Sequence, residues 1–263
     1  MEKNILLQGD ERVDDLQLEG LRIIQHPKKF CFGIDAVLLA DFAARDLDYN
    51  TKVLDLGTGT GIIPLLLWGR IKAQHIVGLE IQQDMVDMAQ RSVRLNRLED
   101  SIQILEGDIK NPPEGIQTNF FDAVVTNPPY MVDKGGLRNP NEGKAIARHE
   151  ILCTLEDVIL TAKRYLKPRG RLYMIHRSHR LVDIIVGMRA TGLEPKKIRF
   201  IHSSHGKEGN LVLIQGLKGG NPQLIVEQPL YIYNEQGDYS QEIHRIYQRV
   251  PPHCHGGEVE GHG

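Results

Sequence analysis

The sequence predicts an α/β protein organised around a doubly wound, mostly parallel sheet. Between about residues 50 and 200, short apolar segments alternate with segments of helical pattern, and parallel strands require crossover helices of this kind. The central segments, such as VLDL and IVGL, are apolar on both faces, as expected where helices cover both sides of a sheet. The predicted strands are 52–56, 76–81, 102–106, 123–126, 171–176 and 198–201, and the predicted helices are 62–70, 83–96, 155–166 and 179–190.

Length and composition indicate a globular protein. The 263 residues include 41% hydrophobic and 25% charged residues, which excludes a disordered chain, a fibre and a coiled coil. The longest unbroken apolar stretch, 62–68, is far shorter than the roughly 20 residues of a membrane span. The first residues lack the basic start and apolar run of a signal peptide, and Cys31, Cys153 and Cys254 have unrelated spacings that suit free thiols. We therefore expect a cytoplasmic protein without a membrane segment.

Charge is distributed unevenly along the chain. The net charge is −2, yet residues 161–200 hold eleven basic and two acidic residues, whereas residues 1–20 hold two basic and six acidic ones. The basic run fits either a solvated helix face or a stripe that binds phosphates, because Lys and Arg that neutralise phosphates drive binding to nucleic acids.

Local patterns predict how the chain is divided. Alternating charged and apolar residues predict a hairpin over 12–25, and the segment 33–44 predicts a helix that begins near Asp35, which would be its N-cap. The last residues are rich in Gly, His and Pro and are expected to fray. The predicted division is a hairpin-like extension over 1–34, a catalytic domain over 35–250 and a flexible tail over 251–263.

A glycine-rich loop follows the first strand of the predicted sheet. Gly57, Gly59 and Gly61 alternate with threonines and lead directly into a helix; glycines let a ligand lie against bare backbone, and the helix N-terminus offers unpaired N–H groups. The spacing is not the dinucleotide pattern G-x-G-x-x-G/A, because Ile62 occupies its last position. Asp55 would repel a pyrophosphate here, but it suits a ligand that carries an ammonium or sulfonium group.

Acidic residues also end the next two strands. Glu80 ends the second strand, 25 residues after Asp55, and a carboxylate at that place can accept both hydrogen bonds of a ribose diol. Asp108 ends the third strand, where it can accept from an adenine amino group while the next backbone N–H donates to the ring. Because carboxyl ends of parallel strands share one edge of a sheet, these residues predict one crevice.

The tetrapeptide Asn127-Pro128-Pro129-Tyr130 follows the fourth strand and therefore belongs to the same crevice. Two prolines restrict the backbone and hold the Asn127 amide and the Pro128 carbonyl outward. Two such acceptors can grip both N–H groups of a conjugated amine, localise its lone pair and direct it at a methyl donor. Tyr130 offers a face on which a planar base can stack. NPPY in this place looks like the signature of amino-group methyltransferases, which act on adenine N6, guanine N2 or a glutamine amide.

These motifs together resemble the class I S-adenosylmethionine-dependent methyltransferases, and the resemblance spans residues 50–215. It implies a seven-stranded Rossmann-like methyltransferase sheet with helices on both faces, and S-adenosyl-L-methionine as cofactor. The residues expected around the cofactor are Gly33, Asp35, Asp55, Gly57, Thr58, Gly59, Gly61, Glu80, Ile81, Asp108, Ile109 and Asn127.

Flanking segments resemble one group more closely, the bacterial tRNA (adenine-N6)-methyltransferases that modify the adenosine beside the anticodon of a valine tRNA. They are FGIDAVLLA at 32–40, ARHE at 147–150 and KEGNL at 207–211. This resemblance implies a tRNA substrate and places Gly33 and Asp35 over the methionine end of the cofactor. It also implies that the loop 131–150 covers a flipped base, where His149 fits a substrate contact and an ordinary loop position equally well.

Other functions share some of these signals. A glutamine-N5 methyltransferase of release factors and a guanine-N2 rRNA methyltransferase would carry the same motifs, although the former usually has a helical domain where only about 50 residues precede this loop. A non-enzymatic RNA-binding module would predict loss of Asp55, Glu80 or Asn127, and all three are present. The histidine pairs lack a third ligand at zinc-like spacing, so we expect no metal site.

Overall fold

The computed structural model describes residues 7–29, 31–128 and 153–248. The strands are β1 (Arg12–Asp15), β2 (Arg22–Gln25), β3 (Lys52–Leu56), β4 (His75–Glu80), β5 (Ile102–Glu106), β6 (Phe121–Thr126), β7 (Leu166–Arg177), β8 (Leu193–His202), β9 (Gly209–Lys218), β10 (Ile225–Val226) and β11 (Leu230–Tyr231). The helices are α1 (Ile34–Ala44), α2 (Ile62–Ile71), α3 (Gln83–Leu95), α4 (Leu155–Tyr165), α5 (Leu181–Thr191) and α6 (Gln241–Ile246).

The main sheet is mostly parallel and has the order β10-β8-β9-β7-β6-β3-β4-β5, with β11 also paired to β8. Only β9 among these described strands runs antiparallel to its neighbours, β7 and β8. The six strands located in the sequence are confirmed, and β9 is the seventh strand of the sheet. Two strands of two residues each, β10 and β11, extend the outer edge beyond the seven that were expected. The four predicted helices are present as α2 to α5, within two residues at each end.

Helices cover both faces of the sheet, as the two-sided apolar strands predicted. One apolar core joins α1, α2, α3 and α6 to one face, through side chains such as Val53 and Val125. The other core joins α4 and α5 to the opposite face, through side chains such as Leu54 and Val124. Adjacent residues of β3 and β6 thus enter different cores, because successive side chains of a strand point to opposite faces.

The N-terminal strands β1 and β2 form an antiparallel hairpin that packs on α3. The backbone N–H of Ile24 donates to the Ser92 hydroxyl at 2.9 Å. Arg91 donates to both carboxylate oxygens of Glu11, at 2.6 and 2.7 Å. The side chains of this pair are only 5% and 7% exposed, so α3 holds the segment that precedes the hairpin.

We expect Arg91→Ala to lower the free energy of unfolding by about 2 kcal/mol, because it leaves the Glu11 carboxylate without its charged partner. Urea denaturation followed by circular dichroism measures this loss. Arg12→Ala is the matched control: Arg12 pairs with Asp14, but its side chain is 54% exposed, and exposed pairs contribute about 1 kcal/mol or less. Equal losses in the two variants would contradict a structural role for the Arg91–Glu11 pair.

Candidate active site

Four strand ends bring the predicted residues to one edge of the sheet. Asp55 of β3 lies opposite Val125 of β6 and Gly78 of β4, and Glu80 of β4 lies opposite Glu106 of β5. The edge therefore presents Asn127, the glycine loop, Glu80 and the Gly107-Asp108 turn in that order. Neighbouring strands are about 4.8 Å apart, so the ends of β6 and β5 are separated by about 14 Å.

The glycine loop has the backbone that the sequence predicted. Gly57, Gly59 and Gly61 have φ angles of 75°, 56° and 83°, which glycine adopts without steric cost. A Cβ atom added to Gly57 or Gly59 would meet no heavy atom within 4 Å, whereas one on Gly61 would lie 3.2 Å from the Cβ of Ala89 on α3. The first two glycines therefore border open space at the crevice, and the third lets α2 and α3 pack closely.

Glu80 joins the end of β4 to the glycine loop. Its Oε2 accepts from the backbone N–H of Gly59 at 2.9 Å, and its Oε1 accepts from the N–H groups of Ile81 and Gln82 at 3.0 Å each. A carboxylate oxygen can accept two hydrogen bonds. Oε2 receives one within the described part of the chain, which leaves capacity for a ligand hydroxyl. The adjacent Ile81 side chain is 39% exposed and offers an apolar surface beside the carboxylate.

Asp55 is the most unusual ionisable group of the edge. It is fully buried, and neither carboxylate oxygen has a hydrogen-bond partner among the described residues. Burial, together with the nearby charge of Glu80, raises the pKa of Asp55 to about 7, although the nearby Thr58 hydroxyl, which is outside hydrogen-bond geometry, lowers it in part. A buried carboxylate without a partner is unfavourable, so this position suits a ligand that brings a positive charge or hydrogen-bond donors.

The turn after β5 is held by local contacts. The Asp108 carboxylate accepts from the backbone N–H of Lys110 at 2.9 Å, and the half-buried side chain remains accessible at the edge. The carbonyl of Ile109 accepts from the hydroxyl of Thr161 on α4 at 2.9 Å. This contact fixes the backbone beside Asp108.

Asn127 lies immediately after β6 and is connected to α1. Its Nδ2 donates to Oδ2 of Asp35 at 3.1 Å. The expectation that Asp35 is the N-cap of α1 is wrong: the helix begins at Ile34 with Gly33 as its N-cap. Asp35 occupies the first turn, where its other oxygen accepts from the Ala36 N–H at 3.0 Å.

Part of the predicted tetrapeptide lies outside the described residues. Pro128, whose carbonyl is proposed as the second acceptor, is described and buried. Pro129, Tyr130 and the loop 131–150, with His149, lie outside the described part of the chain. Their roles remain sequence-based predictions, as does the division of the chain at residues 34 and 250.

Two residues that support the site were not predicted from the sequence. The Thr126 hydroxyl donates to the Leu56 carbonyl at 2.9 Å and ties the end of β6 to the end of β3. Gln25, 2% exposed, accepts from the backbone N–H of Phe32 at 3.0 Å and so holds the chain that enters α1. A threonine that ends an apolar strand was a visible signal, whereas nothing local in the sequence indicates the partner of Gln25.

The basic run at 161–200 does not form the single phosphate-binding stripe considered above. Arg199 is buried and makes a bidentate pair with Glu242, both bonds measuring 2.8 Å. The segment 161–200 follows β7 from its amino end to its carboxyl end and then returns through α5 to the amino end of β8. Its basic residues therefore lie at both the amino and the carboxyl edges of the sheet. Five of its basic residues form ion pairs within the chain: Lys167, Arg180, Arg189, Lys197 and Arg199.

Neither a metal-binding cluster nor a membrane-spanning helix is present among the described residues. No group of three or more His, Cys, Asp or Glu side chains there could hold a metal ion. No helix among residues 7–29, 31–128 and 153–248 has the length and apolar character needed to cross a membrane.

Comparisons with known proteins show to which family the chain belongs. The chain matches the family model "Methyltransferase small domain" over residues 22–189. It is 35% identical over 156 residues to a tRNA1(Val) (adenine(37)-N6)-methyltransferase of Porphyromonas gingivalis, an alignment that covers 58% of this chain and 60% of that protein. It is 31% identical over 208 residues to a protein of the same name from Phocaeicola vulgatus, covering 78% of this chain and 86% of the relative.

Solved structures share the fold. A crystal structure described as a predicted O-methyltransferase from Agrobacterium tumefaciens has a TM-score of 0.64 and 24% identity, covering 81% of this chain and 95% of that one. The P. horikoshii TYW2 structure in complex with MeSAdo has a TM-score of 0.58 and 15% identity, covering 81% and 73%. The family match covers more than half of the chain, and the Phocaeicola relative is matched over most of its length. This chain therefore belongs to the methyltransferase small domain family, together with relatives named tRNA1(Val) (adenine(37)-N6)-methyltransferase.

Proposed function

We propose that the chain transfers a methyl group from S-adenosylmethionine to the exocyclic N6 amino group of an adenosine in tRNA, next to the anticodon of a valine tRNA. The observation that carries this proposal is the Asn127 amide, held at the end of β6 beside an open glycine loop. The names of the relatives supply the nucleotide and the RNA species.

The residues present fit the cofactor. The unpartnered oxygens of Asp55 and the open space at Gly57 and Gly59 suit a cationic ligand that lies against the loop. Glu80 has acceptor capacity for a ribose hydroxyl, and Asp108 lies one strand further along the edge, where an adenine amino group would be bound. The exposed side chain of Ile81 provides an apolar contact for the ring. We assign Gly33, Thr58 and Ile109 to the same proposed cofactor site.

S-adenosylmethionine, when bound, supplies an electrophilic sulfonium methyl group. The Asn127 side-chain oxygen and the Pro128 carbonyl would accept hydrogen bonds from the two amine N–H groups and reduce delocalisation of the lone pair into the ring. With its lone pair held in place by Asn127 and Pro128, the amine would accept the methyl group that the cofactor supplies, and water would take the excess proton. This chemistry depends on positioning and electrostatics rather than on a nucleophile of the protein.

The proposal is tested with a labelled methyl donor and three acceptors. These are an unmodified valine tRNA transcript, the same transcript with guanosine in place of the target adenosine, and a release factor. The product nucleoside or peptide is identified by mass. We expect N6-methyladenosine from the first acceptor and no label in the other two. Label in the release factor or in guanosine, with none in the adenosine transcript, would overturn the proposal.

The RNA should approach along the carboxyl edge of β7, β8 and β11. β8 is parallel to β7, so the turn after β8 lies at the same edge as Asn127. There the Tyr231 ring lies 5.3 Å from each of the rings of His202 and His205. Arg177 and Lys207 are exposed at this edge, where their charges favour phosphates and the rings offer stacking surfaces.

We expect the double substitution Arg177→Ala with Lys207→Ala to raise the KM for tRNA about tenfold and to lower the slope of log affinity against log salt by about 1 to 2, because each phosphate contact releases counterions. Fluorescence titration of tRNA at several salt concentrations measures the slope. Lys163→Ala with Arg169→Ala removes the same charge at the amino edge of β7, where both residues are exposed, and should leave both quantities unchanged. Equal effects of the two pairs would exclude this direction of approach.

A further inference from the structure

We propose that Asp35 is a positioning residue that sets the orientation of the Asn127 amide. This inference rests on the proposed methyl transfer, because it explains why the Asn127 oxygen faces the amine that is methylated. It differs from the role implied by the resemblance, in which Asp35 binds the methionine end of the cofactor.

An asparagine amide can be turned by 180° about its last bond with almost no change of shape. The two orientations are chemically opposite, since one presents an oxygen acceptor and the other presents an NH₂ donor. A carboxylate only accepts hydrogen bonds. The Asn127 Nδ2 must therefore face Asp35 Oδ2, 3.1 Å away, and Oδ1 faces the other direction. An amine that donates two hydrogen bonds needs this orientation.

Asp35 is itself held from two sides. Its Oδ1 accepts from the Ala36 N–H at 3.0 Å, which fixes the carboxylate within the first turn of α1. Gln25 holds the preceding chain through Phe32. A Cβ atom on Gly33 would lie 2.7 Å from Asp35 Oδ1, so a side chain at residue 33 would force the carboxylate away from its present place. The glycine of the FGID segment thus leaves room for the aspartate.

Three full-length variants test the inference. Asp35→Asn keeps the shape of the side chain, but its single oxygen cannot accept from both the Ala36 N–H and Asn127. Its amide also no longer forces one orientation of the Asn127 amide, so we expect kcat to fall about three- to tenfold with an unchanged Kd for S-adenosylhomocysteine. Asp35→Ala removes the acceptor, and we expect kcat to fall at least tenfold with the same Kd, because charge-assisted hydrogen bonds hold geometry strongly. Gly33→Ala should lower kcat as Asp35→Ala does, since it displaces the carboxylate.

Two results would overturn the inference. One is retention of kcat in Asp35→Ala. The other is an equal loss of S-adenosylhomocysteine affinity in Asp35→Asn and Asp35→Ala, which would show that the charge contacts the cofactor. Thermal melts show whether each variant folds. If Asp35→Ala does not fold, the kcat of Asp35→Asn decides the test, and an unchanged kcat then overturns the inference.

A substrate-independent measurement separates this inference from the proposed function. The side-chain amide resonances of Asn127 are assigned by their disappearance in Asn127→Ala. We expect a downfield amide proton in the parent that is lost in Asp35→Ala. If the parent methylates no tRNA but shows this difference, the proposed substrate fails while the positioning contact stands. The absence of a difference overturns the positioning role even if tRNA is methylated.

Discussion

Asn127→Ala is expected to reduce methyl transfer to tRNA by at least about 1,000-fold while the Kd for S-adenosylhomocysteine changes less than about threefold. Its amide oxygen is the acceptor that would aim the amine, and loss of one such preorganised polar group lowers kcat by about 100- to 1,000-fold in other enzymes. Because the amine is a weak nucleophile, we expect a loss of kcat at the upper end of that range. Rapid-quench assays give kcat, and calorimetric titration gives the Kd.

The controls distinguish chemistry from damage to the fold. Asn221→Ala changes the same residue type at an exposed position far along the chain from the site and should leave both constants unchanged. Asn127→Asp should also be inactive, because two carboxylates would then face each other across the 3.1 Å that now separates Asn127 Nδ2 from Asp35 Oδ2. Substantial turnover by Asn127→Ala would show that the amide does not take part in transfer.

Sequence reasoning succeeded where local chemistry determines the structure. The glycine loop needs positive φ at Gly57 and Gly59, and the structure has it. Two-sided apolar strands require helices on both faces, so the layer order followed from the pattern. The placement of Glu80 and Asp108 on one edge followed from parallel pairing alone. Each of these predictions used either a pattern within one segment or the direction of neighbouring strands.

The sequence could not locate contacts between residues that are distant along the chain. Aspartate is a common N-cap residue, but the Asp35 carboxylate accepts a hydrogen bond from Asn127, which lies 92 residues later in the chain. The basic run has a net charge that suggests one surface, yet Arg199 pairs with Glu242 in the interior. A charge count along a chain cannot distinguish the two edges of a sheet that the chain crosses several times. Only the strand order, with β9 returning antiparallel between β7 and β8, separates them.

Cofactor affinity is expected to depend on pH through Asp55. In the ligand-free protein, burial raises the pKa of this carboxyl to about 7, and the charged form is the one that stabilises a bound cation. The Kd for S-adenosylhomocysteine, whose ammonium stays protonated over this range, should therefore rise about 25-fold between pH 7.5 and pH 5.5. Calorimetric titration at four pH values measures it. A Kd that is flat over this range would show that Asp55 does not bind the cation.

Asp55→Asn is the matched control, and it links affinity to stability. The variant should bind S-adenosylhomocysteine more weakly at pH 7.5 and show almost no pH dependence of the Kd, because its amide does not titrate.

The raised pKa of Asp55 also affects stability. It implies that the ligand-free native state keeps a proton that the unfolded chain, with an ordinary Asp pKa near roughly 3.9, has already lost. The native state then binds more protons, so the free energy of unfolding should fall as pH rises from about 4 to about 7. Urea denaturation at pH 5.0 and 7.5 should show a steeper fall for the parent than for Asp55→Asn. Burial of Asp55 would thus have two effects: it lowers the stability of the ligand-free fold at neutral pH, and it favours binding of a cation by the carboxylate.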